Sequence, residues 1–554
     1  MSARNILFIM IDQLRWDYLS CYGSSPVQTP HIDALAARGV RFTSAYAQGT
    51  SCGNSRASFY TGRHVRSHGA TWNDIPFGLD QRTLGEYMHE RGLQTILMGK
   101  THMRPDVNGL VRLHLDAEGN MGQTMAECGF VAGERDDGLH PEGPLGFYSA
   151  SEPRYNEYLR AHGMDGRNPW LEWANSAQDE QGRILNGFFM ENANHPARVP
   201  AEFSETAYMT GRAMQTIAEA GDKPWCLHLS YIKPHWPLIA PAPYHAMYGA
   251  DDVPAAVRSQ REIDEAHPVF GQFMKQRVAQ TFSRDDVRAR AIPAYMGLIR
   301  QVDDEIGRLM AFLKTQGRLD DTLIVLTADH GDYLGDHWLG EKDLFHDAAA
   351  KLPMIVVDPG KAADTTRGTA CDALVGAIDV IPTFIDALGG TPPRHLLEGR
   401  SLLPWLCDTT PATWRDAVFS ECDYARLPAA QALGRDPLEA RLTMAFDGRW
   451  KYVHCLGFAP MLYDLQEDPQ ELRDLGRDPG PATVRERMKD LMLDWSAGLR
   501  NRAAIDEEQM RALTGKSARQ GILIGFWKES DVPAAQKPQP LGTATTTSPA
   551  AANA

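Results

Sequence analysis

The chain has 554 residues, 43% hydrophobic and 23% charged, enough to bury the core of one major domain and a smaller companion. Its net charge of −15 leaves no basic face for nucleic acid, so any anion chemistry must rest on local cations. No stretch reaches the roughly 18 apolar residues of a membrane span, and the eight cysteines show no pairing pattern and no Cys-x-x-Cys, as in a reducing compartment.

From the N-terminus, Met1 to Arg4 leads into an apolar run that closes at Asp12, too short for a signal-peptide core, which predicts a soluble cytoplasmic protein. The run Asn5 to Ile11 followed by Asp12-Gln13 reads as a central parallel strand whose C-terminal end opens into a site. Next, Thr29 is expected to cap a helix with Pro30 at its first position, Ile32, Leu35 and Ala36 as its apolar stripe, and Gly39 as its stop. Further strands are expected over 94–98, 225–231, 323–327 and 354–357. A helix over 294–316, with apolar residues at Met296, Ile299, Val302, Ile306, Leu309 and Leu313, feeds the 323–327 strand, completing a crossover between parallel strands. That strand ends in Asp329-His330-Gly331-Asp332, so two strands deliver acids to one rim.

Residues 104–202 lack periodicity and are rich in Gly, Asn, Pro and Trp, which reads as a loop-rich insertion over the sheet edge. After Gly399 the pattern shifts to short strands over 417–422, 443–446 and 451–453, the last pair joined at Asp447-Gly448. The predicted fold is therefore α/β: a large mixed, mostly parallel sheet with helices on both faces over 1–398, a small C-terminal α+β subdomain over 399–533, and a disordered, low-complexity tail over 534–554.

The segment Ser51-Cys52-Gly53-Asn54-Ser55-Arg56 resembles the surroundings of the nucleophile in the formylglycine-dependent sulfatases, a family of the alkaline phosphatase superfamily. The resemblance extends through Gly99-Lys100-Thr101-His102, Lys233-Pro234-His235 and Gly340-Glu341-Lys342, in the family's order and spacing, and covers the chain into its last quarter. It implies that Cys52 is oxidised to formylglycine by a formylglycine-generating enzyme. It also implies that Asp12, Gln13, Asp329, His330 and the modified residue 52 hold one divalent metal ion. Oxygen-rich ligation favours Ca²⁺, and the imidazole leaves Mn²⁺ or Mg²⁺ open. One position departs from the family: the modification signature is Cys-x-Pro-x-Arg, and here Asn54 stands in the place of proline.

By the same resemblance Arg56 holds the modified side chain, while Arg56, Lys100 and Lys342 surround the anionic ester oxygens. Asp329 takes a proton from the hydrated aldehyde as it attacks, His235 protonates the leaving oxygen, and His102 serves as base when the covalent ester breaks down. Asn73 matches an anion-contacting asparagine of the related phosphonate monoester hydrolases. The roles of His64, His68 and His346 are left open.

These residues point to a sulfatase acting on small aryl sulfate monoesters. Two alternatives are a phosphonate monoester or phosphodiester hydrolase of the same superfamily and an unmodified, inactive anion-binding homologue. The Lys100-x-His102 pair is the sulfatase pattern where the phosphonate hydrolases carry Tyr-x-Thr, whereas Asp12-Gln13, Asn73 and Arg104-Pro105-Asp106 lean toward the phosphonate branch. The expected partner is a small sulfate ester, with neither nucleic acid nor membrane, in a homodimer or homotetramer.

Overall fold

The computed structural model describes residues 3–23, 25–116, 119–138, 153–500 and 503–537. Residues 538–554 of the expected tail and 139–152 of the expected insertion lie outside these.

Among the described residues, fifteen strands form three sheets. In chain order they are β1 (Asn5–Ile11), β2 (Val40–Tyr46), β3 (Gln94–Gly99), β4 (Val131–Arg135), β5 (Ser176–Gln178), β6 (Ile184–Asn186), β7 (Trp225–Tyr231), β8 (Thr322–Ala328), β9 (Lys351–Val357), β10 (Thr369–Cys371), β11 (Val375–Gly376), β12 (Val418–Asp423), β13 (Arg441–Phe446), β14 (Trp450–Cys455) and β15 (Met461–Asp464). The main sheet runs β10-β2-β9-β8-β1-β7-β3-β4, with β11 also paired to β2. β1 sits between β7 and β8 and is parallel to both, with Ile6 opposite Cys226 on one side and Leu323 on the other. Every residue of these three strands is buried, which explains why they read as unbroken apolar runs rather than alternating patterns. β9 runs against both β2 and β8, making the sheet mixed.

Three features depart from the sequence reading. The crossover helix spans Asp285–Thr315 and runs through Pro293. Proline removes one backbone donor, but Arg288, Ala291 and Ile292 on the upstream turns are buried, and that packing carries the helix past it. The helix Pro30–Ala36 begins where expected, yet Thr29 makes no capping bond to it; the buried Asp303 of the crossover helix accepts instead from Ile32 N at 2.8 Å and His31 N at 3.1 Å. The 104–202 segment also contributes β4, an edge strand parallel to β3. With Val131 and Ala132 exposed, that strand shows no apolar alternation to betray it.

The C-terminal sheet β12-β13-β14-β15 is antiparallel, and Phe446 opposite Lys451 frames the Asp447-Gly448 turn, whose glycine has φ of 95°. Its apolar face shares one core with the large sheet: Tyr46, Phe270, Tyr333 and Phe345 pack with Val418, Leu442, Met444 and Phe446. Two compact units result, one of 1–392 with 397–499 and a second of 393–396 with 500–554. Within the second unit, Asp506 caps the helix Glu507–Leu513, and Ile524 and Trp527 are exposed. Among the described residues no helix is long and apolar enough to cross a membrane.

Candidate active site

Residue 52 opens a ten-residue helix, Cys52–Thr61, in which every side chain is buried. Asn54 ties down its first turn: Oδ1 accepts from Ser51 N at 2.9 Å and Nδ2 donates to Thr71 O at 3.1 Å. Gly62, at φ of 68°, closes the other end. The helix therefore presents its positive N-terminal end, with Cys52 as first residue, to the rim of the large sheet, a location suited to anions.

β1 and β8 meet it there. Asp12, Cys52, Asp329 and His330 are all buried, and one potential ligand atom from each lies within 4.8 Å of the others. The Cys52 sulfur is 3.1 Å from His330 Nε2 and 3.7 Å from Asp12 Oδ1. Two carboxylates, an imidazole and residue 52 converging in a buried space form a donor set that fits a divalent cation; the thiol sulfur marks where the oxygens of a modified residue 52 would begin. Gln13, held at φ of 62°, donates its backbone N–H to Asp329 Oδ1 at 3.0 Å and its side-chain amide to Asp332. Its amide oxygen is thereby turned toward Lys342, from which it accepts at 3.1 Å.

Cations ring this space. Arg56 is wholly buried and donates to Asp329 Oδ2 at 2.8 Å, to Ser230 Oγ at 2.8 Å and to the Lys100 carbonyl at 2.9 Å. It thus orders the strand-end carboxylate and the Lys100 loop, where the resemblance assigned it a grip on residue 52. Lys100 pairs with Asp12, and Lys342 Nζ donates to the Cys52 sulfur at 3.2 Å. Burial and the neighbouring Cys52 push the Asp12 carboxyl up, but Lys100, His235 and Arg56 prevail and hold it below the usual carboxylate range. Burial would likewise raise the Cys52 thiol, yet Lys100, Lys342 and His330 hold it well below its ordinary value. For His330 burial disfavours the proton, and Asp329 with Cys52 outweighs it, raising the imidazole to about 9.

Three more expected residues reach the same rim. His102 sits at φ of 58°, fixed because Asp137 Oδ1 accepts both its N–H, at 2.8 Å, and that of Thr101, at 3.0 Å; its ring contributes a hydrogen bond that lowers the Cys52 thiol. His235 donates from Nδ1 to the Trp236 carbonyl at 3.2 Å, which orients the ring and leaves Nε2 to carry a proton. Lys233 braces this loop by donating to the Pro237 carbonyl at 2.9 Å. Asn73 Oδ1 accepts from Gly53 N at 2.7 Å, so its amide nitrogen is left for another acceptor. A Cβ on Gly53 would come within 2.9 Å of Asn73 Cα, so only glycine admits this approach.

The histidines left open fall elsewhere. His68 is buried behind the Cys52–Thr61 helix: Nδ1 accepts from Ala70 N at 3.1 Å, so Nε2 carries the hydrogen and donates to Ser58 Oγ at 3.0 Å. His64 takes a hydrogen bond from the Trp495 indole at 3.2 Å. His346 stacks on His337 at 3.8 Å between ring centres, within the core shared by the two sheets.

Asp137, Ser230 and Asp332 support the site and were not singled out from sequence. Arg135 on β4 pairs with Asp137, so the edge strand hidden in the 104–202 segment is what anchors the Lys100–His102 loop. The signal available was the run Glu134-Arg135-Asp136-Asp137-Gly138, a charged stretch ending at a glycine.

Comparison with known proteins agrees with this geometry. The sulfatase family model matches residues 4–390, and that of the N-sulphoglucosamine sulphohydrolase C-terminal region matches 335–497. The chain is 32% identical over 524 residues to the multifunctional alkaline phosphatase superfamily protein PehA of Trinickia caryophylli, covering 89% of this chain and 95% of that protein. It is 26% identical to the arylsulfatase of Clostridium perfringens, covering 85% and 90%. Its fold is similar to the phosphonate monoester hydrolase of Silicibacter pomeroyi, with a TM-score of 0.79, 30% identity, and coverage of 91% and 98%. A match over most of the length that also contains the Asp12, Cys52, Asp329 and His330 cluster leads to one assignment: the chain is a hydrolase of the sulfatase family, within the alkaline phosphatase superfamily.

Proposed function

We propose that the chain hydrolyses small aryl sulfate monoesters, with residue 52, as formylglycine, for its nucleophile and one divalent cation, calcium in preference to manganese or magnesium, held by Asp12, Gln13, residue 52, Asp329 and His330. When present, the modified residue supplies a hydrated aldehyde as nucleophile, and the cation supplies positive charge at the ester oxygens.

The chain's own side chains do the rest. Arg56, Lys100 and Lys342, all buried, neutralise the anionic head. Asp329 lies within ligand distance of residue 52 and takes its proton. His235 releases a proton from Nε2 to the leaving oxygen, and His102, braced by Asp137, removes the proton that lets residue 52 shed the anion.

The observation that carries the sulfate reading is that Lys100, paired with Asp12 beside Cys52, and His102, braced by Asp137, stand together at the rim that holds residue 52. A second reading, phosphonate monoester hydrolysis, is favoured by the free amide nitrogen of Asn73 beside the helix end and by the similarity to the Silicibacter enzyme. A parallel assay of 4-nitrophenyl sulfate and 4-nitrophenyl phenylphosphonate separates them. The sulfate should have the higher kcat/KM, and Lys100→Tyr with His102→Thr should narrow or invert the ranking. A phosphonate preference of about tenfold, or about 1.4 kcal/mol of transition-state discrimination, would overturn the sulfate reading.

A further inference from the structure

Beside the anion site lies a groove of about 660 Å³. Trp236, Met190, Leu427 and Ala429 make its walls, and Lys275 and Arg277 stand at its rim. Chain neighbours of the site residues line it. Trp236 follows His235 in sequence. Glu341, also in the lining, precedes Lys342 and lies 3.3 Å from its amine. Leu427 follows Arg426, whose guanidinium donates to the Asn73 carbonyl at 2.6 Å. The groove therefore adjoins the segments that carry His235 and Lys342. Lys275 and Arg277 are exposed, and neither takes part in an ion pair among the described residues. Apolar walls with an aromatic side chain suit a ring, and two exposed cations in the lining suit a negative charge on it.

We propose that this groove receives the alcohol half of the ester and selects an aromatic leaving group that carries a carboxylate, read by Lys275 and Arg277. The proposal rests on the ester-hydrolase reading above and adds the substrate class to it.

Two esters with leaving groups of similar basicity test it: 4-(2-carboxyethyl)phenyl sulfate and 4-propylphenyl sulfate. The wild type should favour the carboxylate ester by about tenfold in kcat/KM, as expected for two partly exposed charge contacts, and Lys275→Gln with Arg277→Gln should bring the ratio to about one. Titration calorimetry with the two free phenols, 3-(4-hydroxyphenyl)propanoate and 4-propylphenol, reads the groove without turnover. Tighter binding of the carboxylate phenol that is lost in the double variant supports the groove even when neither ester is cleaved, a failure that falls on the proposed reaction alone. Equal wild-type kcat/KM together with equal phenol affinities overturns the groove, as does a carboxylate preference that survives the double substitution.

Discussion

Two regions of this molecule bury charge, and they do it in opposite ways. Where the large sheet meets the C-terminal sheet, Lys451 donates to the Phe345 carbonyl at 3.0 Å and to Asp347 at 2.7 Å, and pairs with Glu471. Tyr46 donates to the same Asp347 oxygen at 2.9 Å and the Asp347 N–H donates to Glu471 Oε2 at 2.7 Å, so each charge is answered by a fixed partner. At the β1 and β8 ends, by contrast, ligand atoms of Asp12, Cys52, Asp329 and His330 converge on one space with cations facing it from several sides. Buried charge alone does not mark an active site. Convergence of donor atoms on one space does, while the closed cluster pins two sheets together.

Substitution should separate the two regions cleanly. Cys52→Ala should lower aryl sulfate turnover at least about 100-fold with the unfolding midpoint little changed, because it removes the nucleophile from a site whose other members persist. Lys451→Met should do the reverse. Stranding Glu471 and Asp347 in the core should cost about 3–5 kcal/mol in denaturant unfolding, with kcat per folded molecule retained. A catalytic collapse in folded Lys451→Met would erase the distinction.

The open cluster should also take up metal with proton release. Against burial, Asp329 and an unmodified Cys52 raise His330 to about 9, and an imidazolium cannot ligate, so in the unmodified form calcium or manganese affinity should rise with pH up to that value. Calorimetry in buffers of different ionisation enthalpy reads the protons released; uptake without proton release would remove His330 from the ligand set.

Acid should find the large-sheet side first. Burial, then Arg63, lowers His68 to about 3, and burial, with Arg56 adding to it, lowers His228 to about 3. Both rings are neutral in the fold and would protonate in the unfolded chain below about 6.5. Their stabilisation is complete above that pH and is lost from about 6.5 down to 3, with a slope of about 1.4 kcal/mol per pH unit for each. In the closed cluster burial raises Asp347, but Lys451 and Lys351 lower it to about 2, so its contribution is kept above about 4 and falls only below that. Unfolding midpoints from pH 7 to 3 should therefore drop early, and less steeply in His68→Gln; an onset near pH 4 would contradict the assignment.

The sequence showed the open cluster better than the scaffold that holds it. Asp12 and Asp329 were legible because fully buried strands read as continuous apolar runs and their ends are then conspicuous. Lys100, His102, His235 and Lys342 were legible only through motif resemblance, since no periodicity marks a loop. Asp303 capping a helix some 270 residues upstream, β4 on the sheet edge with Arg135 and Asp137 behind His102, and the helix continuing through Pro293 were not legible. Each depends on a partner distant in sequence or on packing that overrides a local signal.

The central claim is that residue 52 acts as an oxidised cysteine, although Asn54 occupies the proline position of the modification signature and serves the fold as the tie on the first turn of the nucleophile helix. Peptide mass spectrometry across residue 52 of the purified protein tests it most directly. The account predicts a peptide that has lost hydrogen sulfide and gained one oxygen, with a carbonyl that hydrazide reagents capture. An unmodified cysteine in protein that turns over aryl sulfates at full rate would contradict it.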